Sequence, residues 1–194
     1  MTINDINDLF EEKFSKYKKS ISQISLDDSN KKKPIILCKF KNSFFSFDDI
    51  AKEYRANEPS TDMIFFDLNK EYIVLVEFKN GKIKSENKPK IKQKFLNSFY
   101  ILNKILDIDK QIFWSLKTYL IFVTNREKNV GQEQYRNYKI DSLGILNYLR
   151  NDITLYDFAK YKPWYFDEIK TPFCDEFAEL MEQEFNIILE EDNE

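Results

Sequence analysis

Near the N-terminus, apolar residues recur at helical spacing. Ile6, Leu9, Phe10, Phe14, Tyr17 and Ile21 form a stripe that predicts an amphipathic helix over 4–22. The polar run 26–33 (LDDSNKKK) reads as a linker, and 34–45 as one or two strands. Ser46 is placed to cap a helix running to about Arg55. From residue 63 the pattern changes from periodic to continuous. Residues 63–66 and the β-branched and aromatic run 72–78 (YIVLVEF) flank the polar break Leu68-Asn69-Lys70, which predicts a hairpin whose second strand is buried on both faces. Pro89 opens an amphipathic helix to Leu106, carried by Phe95, Phe99, Leu102 and Ile105, and 119–123 (YLIFV) is a buried strand. A polar loop over 125–134, a helix over 140–149, and an amphipathic helix over 173–189 with an acidic outer face complete the pattern. These elements predict an α/β fold, a mixed sheet flanked by helices. It is one domain over 1–194, with a core at about 44–124, an added helix at 4–22, and a C-terminal helical region at 140–190 ending in an acidic tail.

Charged residues interrupt this pattern in one informative place. Side chains alternate along a strand, so Ile73, Leu75, Glu77 and Lys79 share a face. Asp62, at the mouth of the preceding strand, lies across from them if the hairpin pairs regularly. Two carboxylates and an ammonium at the end of a buried hairpin suit a hard cation such as Mg²⁺, which takes oxygen ligands and keeps several waters. Such an ion can polarise a phosphate and activate water, with Lys79 offsetting the charge that develops. The bland alternative makes Asp62 a turn residue and Glu77 with Lys79 a surface ion pair on an edge strand. Asp67 faces the other side of its strand and suits a turn cap. The chain has no histidine, which excludes Ser-His hydrolases, His-metal nucleases, His-based ribonucleases and zinc deaminases. Three glycines leave no room for a phosphate-binding glycine loop.

Asp62, a strand, a turn and then Glu77-Phe78-Lys79 resembles the PD-(D/E)XK nuclease superfamily. Ser60-Thr61-Asp62 stands at the short acidic motif, and Glu77-Phe78-Lys79 fills (D/E)XK. The resemblance covers roughly 44–124 and implies a restriction-endonuclease-like core. It also implies Mg²⁺ or Mn²⁺ held by Asp62, Glu77 and the carbonyl of Phe78, with Lys79 catalytic. A further acid on the preceding helix would be Glu53 or Glu58, and a Lys or Gln on the following helix would be Lys92, Gln93 or Lys94. The sequence departs from the pattern in lacking a proline directly before Asp62. The implied activity is hydrolysis of phosphodiesters, most readily of DNA, in restriction, phage defence, repair or a mobile element. The alternative is a catalytically silent relative that binds nucleic acid or protein within a larger assembly.

Charge distribution supports a nucleic-acid partner. The net charge of −3 hides a segregation: 175–194 holds nine acids and no Lys or Arg, leaving 30 bases against 24 acids elsewhere. Lys79, Lys82, Lys84, Lys88, Lys90, Lys92 and Lys94 follow one another with the single acid Glu86 among them, a patch suited to phosphates or a solvated surface. The acidic tail could occupy that patch. The segment 156–166 (YDFAKYKPWYF) interleaves aromatic and basic residues, and reads as core or subunit contact more readily than as a base-stacking surface. Cys38 and Cys174 read as isolated reduced core residues. No window is apolar enough to span a bilayer and the first residues are acidic, so a cytoplasmic protein without membrane partners is expected. Cutting both strands of a duplex needs two sites, so a homodimer is a further expectation.

Overall fold

The computed structural model describes residues 1–28, 32–54, 58–143, 154–162 and 165–193, with side chains of 141–143 set aside. In chain order the elements are α1 (Ile3–Phe14), β1 (Lys18–Ser20), α2 (Ile21–Ile24), β2 (Leu26–Asp27), β3 (Ile35–Ile36), β4 (Ser43–Ser46), α3 (Phe47–Tyr54) and β5 (Met63–Asp67). They continue with β6 (Tyr72–Lys79), α4 (Lys88–Leu106), α5 (Lys110–Ser115), β7 (Lys117–Thr124), α6 (Val130–Leu143), β8 (Glu168–Lys170) and α7 (Cys174–Phe185).

A six-stranded sheet runs β1-β4-β5-β6-β7-β8, and β2 pairs separately with β3. Neighbours from β1 to β6 are antiparallel, whereas β7 and β8 join in parallel. The connections explain the switch. A short turn returns the chain from β5 to β6, but α4 and α5 carry it back over the sheet before β7, as a parallel pair requires. β6 therefore lies in the middle and is covered on both sides, as its uninterrupted apolar run requires. Ile73 and Leu75 pack with Ile6, Phe10, Ile50 and Phe95 on one face. Val74, Val76 and Phe78 pack with Phe177, Leu180 and Phe185 on the other. The expected α/β arrangement of a mixed sheet flanked by helices is present, and among the described residues no helix is long and apolar enough to cross a membrane.

The structure revises several element boundaries. The helix expected over 4–22 ends at Phe14, and Lys18–Ser20 becomes an edge strand paired with β4. What looked like one apolar stripe serves two layers: Phe10 and Phe14 enter one core cluster and Ile21 the other, so the chain must cross the sheet edge between them. Ser20 then caps the short α2 through the amide of Gln23. Ser46 closes β4 and its hydroxyl donates to Asp49 in the first turn of α3; Arg55 lies outside the described residues. The loop expected over 125–134 contains the start of α6; of the helix expected at 140–149, residues 140–143 are the end of α6 and 144–149 lie outside the described residues. The most deeply buried described side chain of α6 is Arg136, 1% exposed beside Ile140 at 7%, and its guanidinium donates to Glu176 (2.6 Å) and to the Thr171 carbonyl (2.7 Å). Apolar periodicity cannot reveal a helix held by an arginine.

In the aromatic segment, Tyr156, Phe158 and Phe166 are core residues, while Pro163 and Trp164 lie outside the described residues. α7 stops where Asn186 adopts a left-handed conformation. The tail then pairs with 39–42, through Lys41 N–H to the Glu190 carbonyl (2.9 Å) and Asp192 N–H to the Lys39 carbonyl (3.1 Å). It is docked there, and among the described residues no hydrogen bond or ion pair joins it to the lysine run. Cys38 and Cys174 are not isolated: their Cα atoms lie 5.8 Å apart with the sulfurs in contact, 136 residues apart in sequence. That Cα spacing is one a disulfide spans.

Candidate functional site

Strand register places the acids. Met63 is opposite Val76, and one step further along the antiparallel pair Asp62 faces Glu77. Asp62 is held on three sides: its N–H donates to the Val76 carbonyl (3.0 Å), its carbonyl accepts from Phe47 N–H (2.9 Å), and its Oδ2 accepts from Phe78 N–H (2.7 Å). Glu77 follows Leu75 on the face covered by α4 and is 1% exposed. Into this corner α4 sends Lys94. Its Nζ lies 2.7 Å from Glu77 Oε1 and 3.2 Å from Asp62 Oδ1, so one ammonium serves both carboxylates. Glu77 Oε2 is buried and has no hydrogen-bond partner among the described residues.

Ser98 sets the position of Lys94. One turn further along α4 and fully buried, it accepts from Thr61 N–H (2.8 Å) and donates to the Lys94 carbonyl (2.8 Å). Asn97 adds a bond to the Pro59 carbonyl (3.1 Å). The helix is thereby stitched to Pro59 and Thr61, just before Asp62.

The charges do not balance within this triad: two carboxylates face one ammonium in a site largely removed from water. Burial pushes Glu77 well above the usual carboxylate range, and the neighbouring Asp62 charge adds to this against the opposing pull of Lys94. Burial also raises Asp62, opposed by Lys94 and the Phe78 amide. For Lys94, burial alone would lower the pKa, but Glu77 and Asp62 outweigh it and hold the ammonium above the usual lysine range. These are the signs of an anionic pocket holding less positive charge than it accommodates.

Lys79 ends β6, its carbonyl accepting from Asn125 N–H (3.4 Å) and its side chain exposed, without an ion pair or hydrogen bond among the described residues. It lines a cavity of about 150 Å³ together with Asp27, Asp28, Asp62, Phe78 and Asn80. At roughly 30 Å³ per water, this holds a few waters or a phosphate group, and not a whole nucleotide. The buried Asn80 fixes one wall by donating to Asp27 (3.3 Å) and accepting from Asn125 at the end of β7 (3.1 Å). The cavity thus opens at the carboxyl ends of the parallel strands, where open α/β sheets commonly take ligands.

Other expected residues are more dispersed. Glu53 points away from the triad to Lys16 (2.9 Å) and the Tyr17 hydroxyl. Glu58 is half-buried just before Pro59. Phe78 packs its ring on Phe177 of α7, on the opposite face from Glu77. Lys92 and Gln93 are exposed on α4, Lys92 lying over the Tyr161 ring (5.6 Å). Lys82, Lys84 and Lys90 are exposed, Lys84 lying 3.7 Å from Glu86, while Lys88 pairs with Asp157 (2.6 Å). Lys94, grouped by sequence with this surface patch, is instead the counter-ion of the carboxylates. Asp67 does cap the turn, its Oδ1 accepting from the amides of Asn69 (3.0 Å) and Lys70 (3.2 Å).

Asp48 and Ser98 escaped sequence reasoning. Asp48, on α3, accepts from Ser60 (3.2 Å) and adds its charge to those raising Asp62. A signal for the α4 pair was available: Lys94 and Ser98 occupy the helical stripe shared by Ile91, Phe95 and Leu102, where a polar residue must find a buried partner. Among the described residues, no three His, Cys, Asp or Glu side chains converge closely enough to hold one ion. Compared with known proteins, the chain matches no family model, no curated sequence and no solved structure.

Proposed function

We propose that the protein is a Mg²⁺- or Mn²⁺-dependent phosphodiester hydrolase with a restriction-endonuclease-like core, acting on DNA. The observation that carries this reading is the shared cation: Asp62 and Glu77 approach closely enough for one ammonium to touch both, and Glu77 Oε2 has no partner. A dication would balance two carboxylates where an ammonium leaves one negative charge over, and Mg²⁺ needs only one or two protein carboxylates when waters and phosphate complete its shell. The order of helix, antiparallel strands bearing the acids, crossover helix and parallel strand is also the order expected of a PD-(D/E)XK core.

In this reading Asp62 and Glu77 hold the ion, with the Phe78 carbonyl as a further donor. When bound, the ion neutralises charge at the phosphate and acidifies water. Lys79, unpaired at the cavity rim, stabilises the charge growing on the phosphate. Exposed Lys82, Lys84 and Lys90, with Lys92 and Gln93 near the scissile group, hold the backbone. Supercoiled, linear and single-stranded DNA and RNA, incubated with Mg²⁺ or Mn²⁺, test the assignment. Cleavage of DNA by the wild type should fall about 10²-fold or more in Glu77→Gln and in Lys79→Met. Equal cleavage by wild type and variants would refute it.

A second reading has its own observation. Lys94 already gives both carboxylates a cation, which is how a catalytically silent relative would stabilise the same corner while binding nucleic acid through its lysines. Retained DNA binding with no cleavage of any substrate selects this reading.

A further inference from the structure

We propose that Lys94 and a divalent ion are alternative occupants of the Asp62–Glu77 pair, so that metal enters only by displacing the ammonium. This rests on the reading of the pair as a metal site.

The geometry opposes joint occupancy of the two oxygens that face each other. Lys94 Nζ sits 2.7 Å from Glu77 Oε1 and 3.2 Å from Asp62 Oδ1, filling the space between the two oxygens. An ion bound at about 2.1 Å to these same two oxygens must lie in the space the ammonium fills. Charge leads to the same conclusion. An ammonium and a dication together would exceed the two carboxylates and repel each other at contact distance, whereas the dication alone matches them.

The parts that would move differ from the parts that would stay. Asp62 is pinned by the Phe78 amide, and the Glu77 side chain is 2% exposed. The Lys94 side chain is 28% exposed and ends a flexible four-carbon stem, so it can swing to the surface by bond rotation. Its backbone need not follow, because Ser98 anchors the Lys94 carbonyl to α4 and to Thr61. The chain therefore carries its own tethered competitor for the metal. This competitor keeps the buried acids paired when no ion is present, and it selects for ions able to outbid a monovalent cation at zero distance.

Two measurements test the exchange without relying on cleavage. In the first, Mn²⁺ affinity is compared by electron paramagnetic resonance for wild type, Lys94→Met and Lys94→Met with Asp62→Asn. Lys94→Met should bind at least about tenfold tighter than wild type, and adding Asp62→Asn should abolish the gain. The second needs no variant and covers the case in which Lys94→Met does not fold. Wild-type protein is acylated with an amine reagent with and without Mn²⁺, and Lys94 modification is read by mass spectrometry against exposed Lys104. Mn²⁺ should raise Lys94 labelling severalfold and leave Lys104 unchanged. Equal Mn²⁺ affinity in wild type and Lys94→Met, or Lys94 labelling unchanged by bound Mn²⁺, overturns the exchange while the metal site stands. Absence of Mn²⁺ binding in both proteins overturns the exchange and the metal site together.

Discussion

Replacing Lys94 by Met in metal-free protein removes the one ammonium that Asp62 and Glu77 share and leaves a side chain of similar length. Buried pairs broken in this way commonly cost about 3–5 kcal/mol, because the remaining charge is stranded. Here the cost has a ceiling, since Glu77 can take up a proton instead. The ordinary value for this carboxyl is 4.5. At 1.36 kcal/mol per pH unit, holding it protonated at pH 7 costs about 3.4 kcal/mol, and at pH 5 about 0.7 kcal/mol.

Burial, followed by the Asp62 charge, raises the folded-state pKa of Glu77 above its unfolded value even with Lys94 in place, and removing the ammonium that opposes this raises it further. Between the two values the folded chain holds the extra proton, so stability falls as pH rises from about 4.5, and more steeply in the variant than in the wild type. Urea unfolding of wild type and Lys94→Met in chelator, at pH 5 and pH 7, reads this directly. The expected loss is up to about 3 kcal/mol at pH 7, shrinking to below about 1 kcal/mol at pH 5. A loss of the same size at both pH values would refute the idea that the ammonium compensates buried carboxylate charge.

Other outcomes follow from the same structure. Because Cys38 and Cys174 lie 5.8 Å apart at Cα across 136 residues, oxidised protein should form an intramolecular disulfide, and its reduction should lower stability by up to about 5 kcal/mol. Thiol counting on denatured oxidised protein checks it, and two free thiols would refute it. Glu176 is raised by burial but drawn below its usual range by the Phe173 amide and by Arg136 and Arg126. Its contribution is therefore present above about pH 4.5 and lost as pH falls through the lowered value, so Glu176→Gln should flatten the acid limb of the stability curve. If exposed Lys82 and Lys90 contact phosphates, changing each to Ala should weaken DNA binding at low salt and reduce the slope of log affinity against log salt by about 0.9 apiece. An unchanged slope would remove them from the interface.

Legibility varied with the kind of interaction. The hairpin, the long helix α4 and β7 follow from local apolar pattern, and they are found within a few residues of where that pattern places them. The turn cap at Asp67 was equally local. Helix α6 was half-missed because its buried anchor, Arg136, is polar and meets Glu176 forty residues away. The early break of α1 was hidden because Phe14 and Ile21 continue a helical stripe in sequence while entering different core layers.

The sequence by itself determined that Asp62 and Glu77 face each other at the end of a buried hairpin, since strand alternation and hairpin register need only neighbouring residues. It did not determine which cation meets the acids. Lys79 and Lys94 look alike in sequence, two lysines of one basic run, but β6 ends at Lys79 and leaves it in solvent, while the packing of α4 turns Lys94 inward. That choice depends on the rotation of a helix about its own axis against the sheet, fixed by Ser98, Thr61 and the apolar residues around them. Such a rotation is settled by burying apolar area and satisfying buried polar atoms over the whole contact, and no local window of sequence holds that sum.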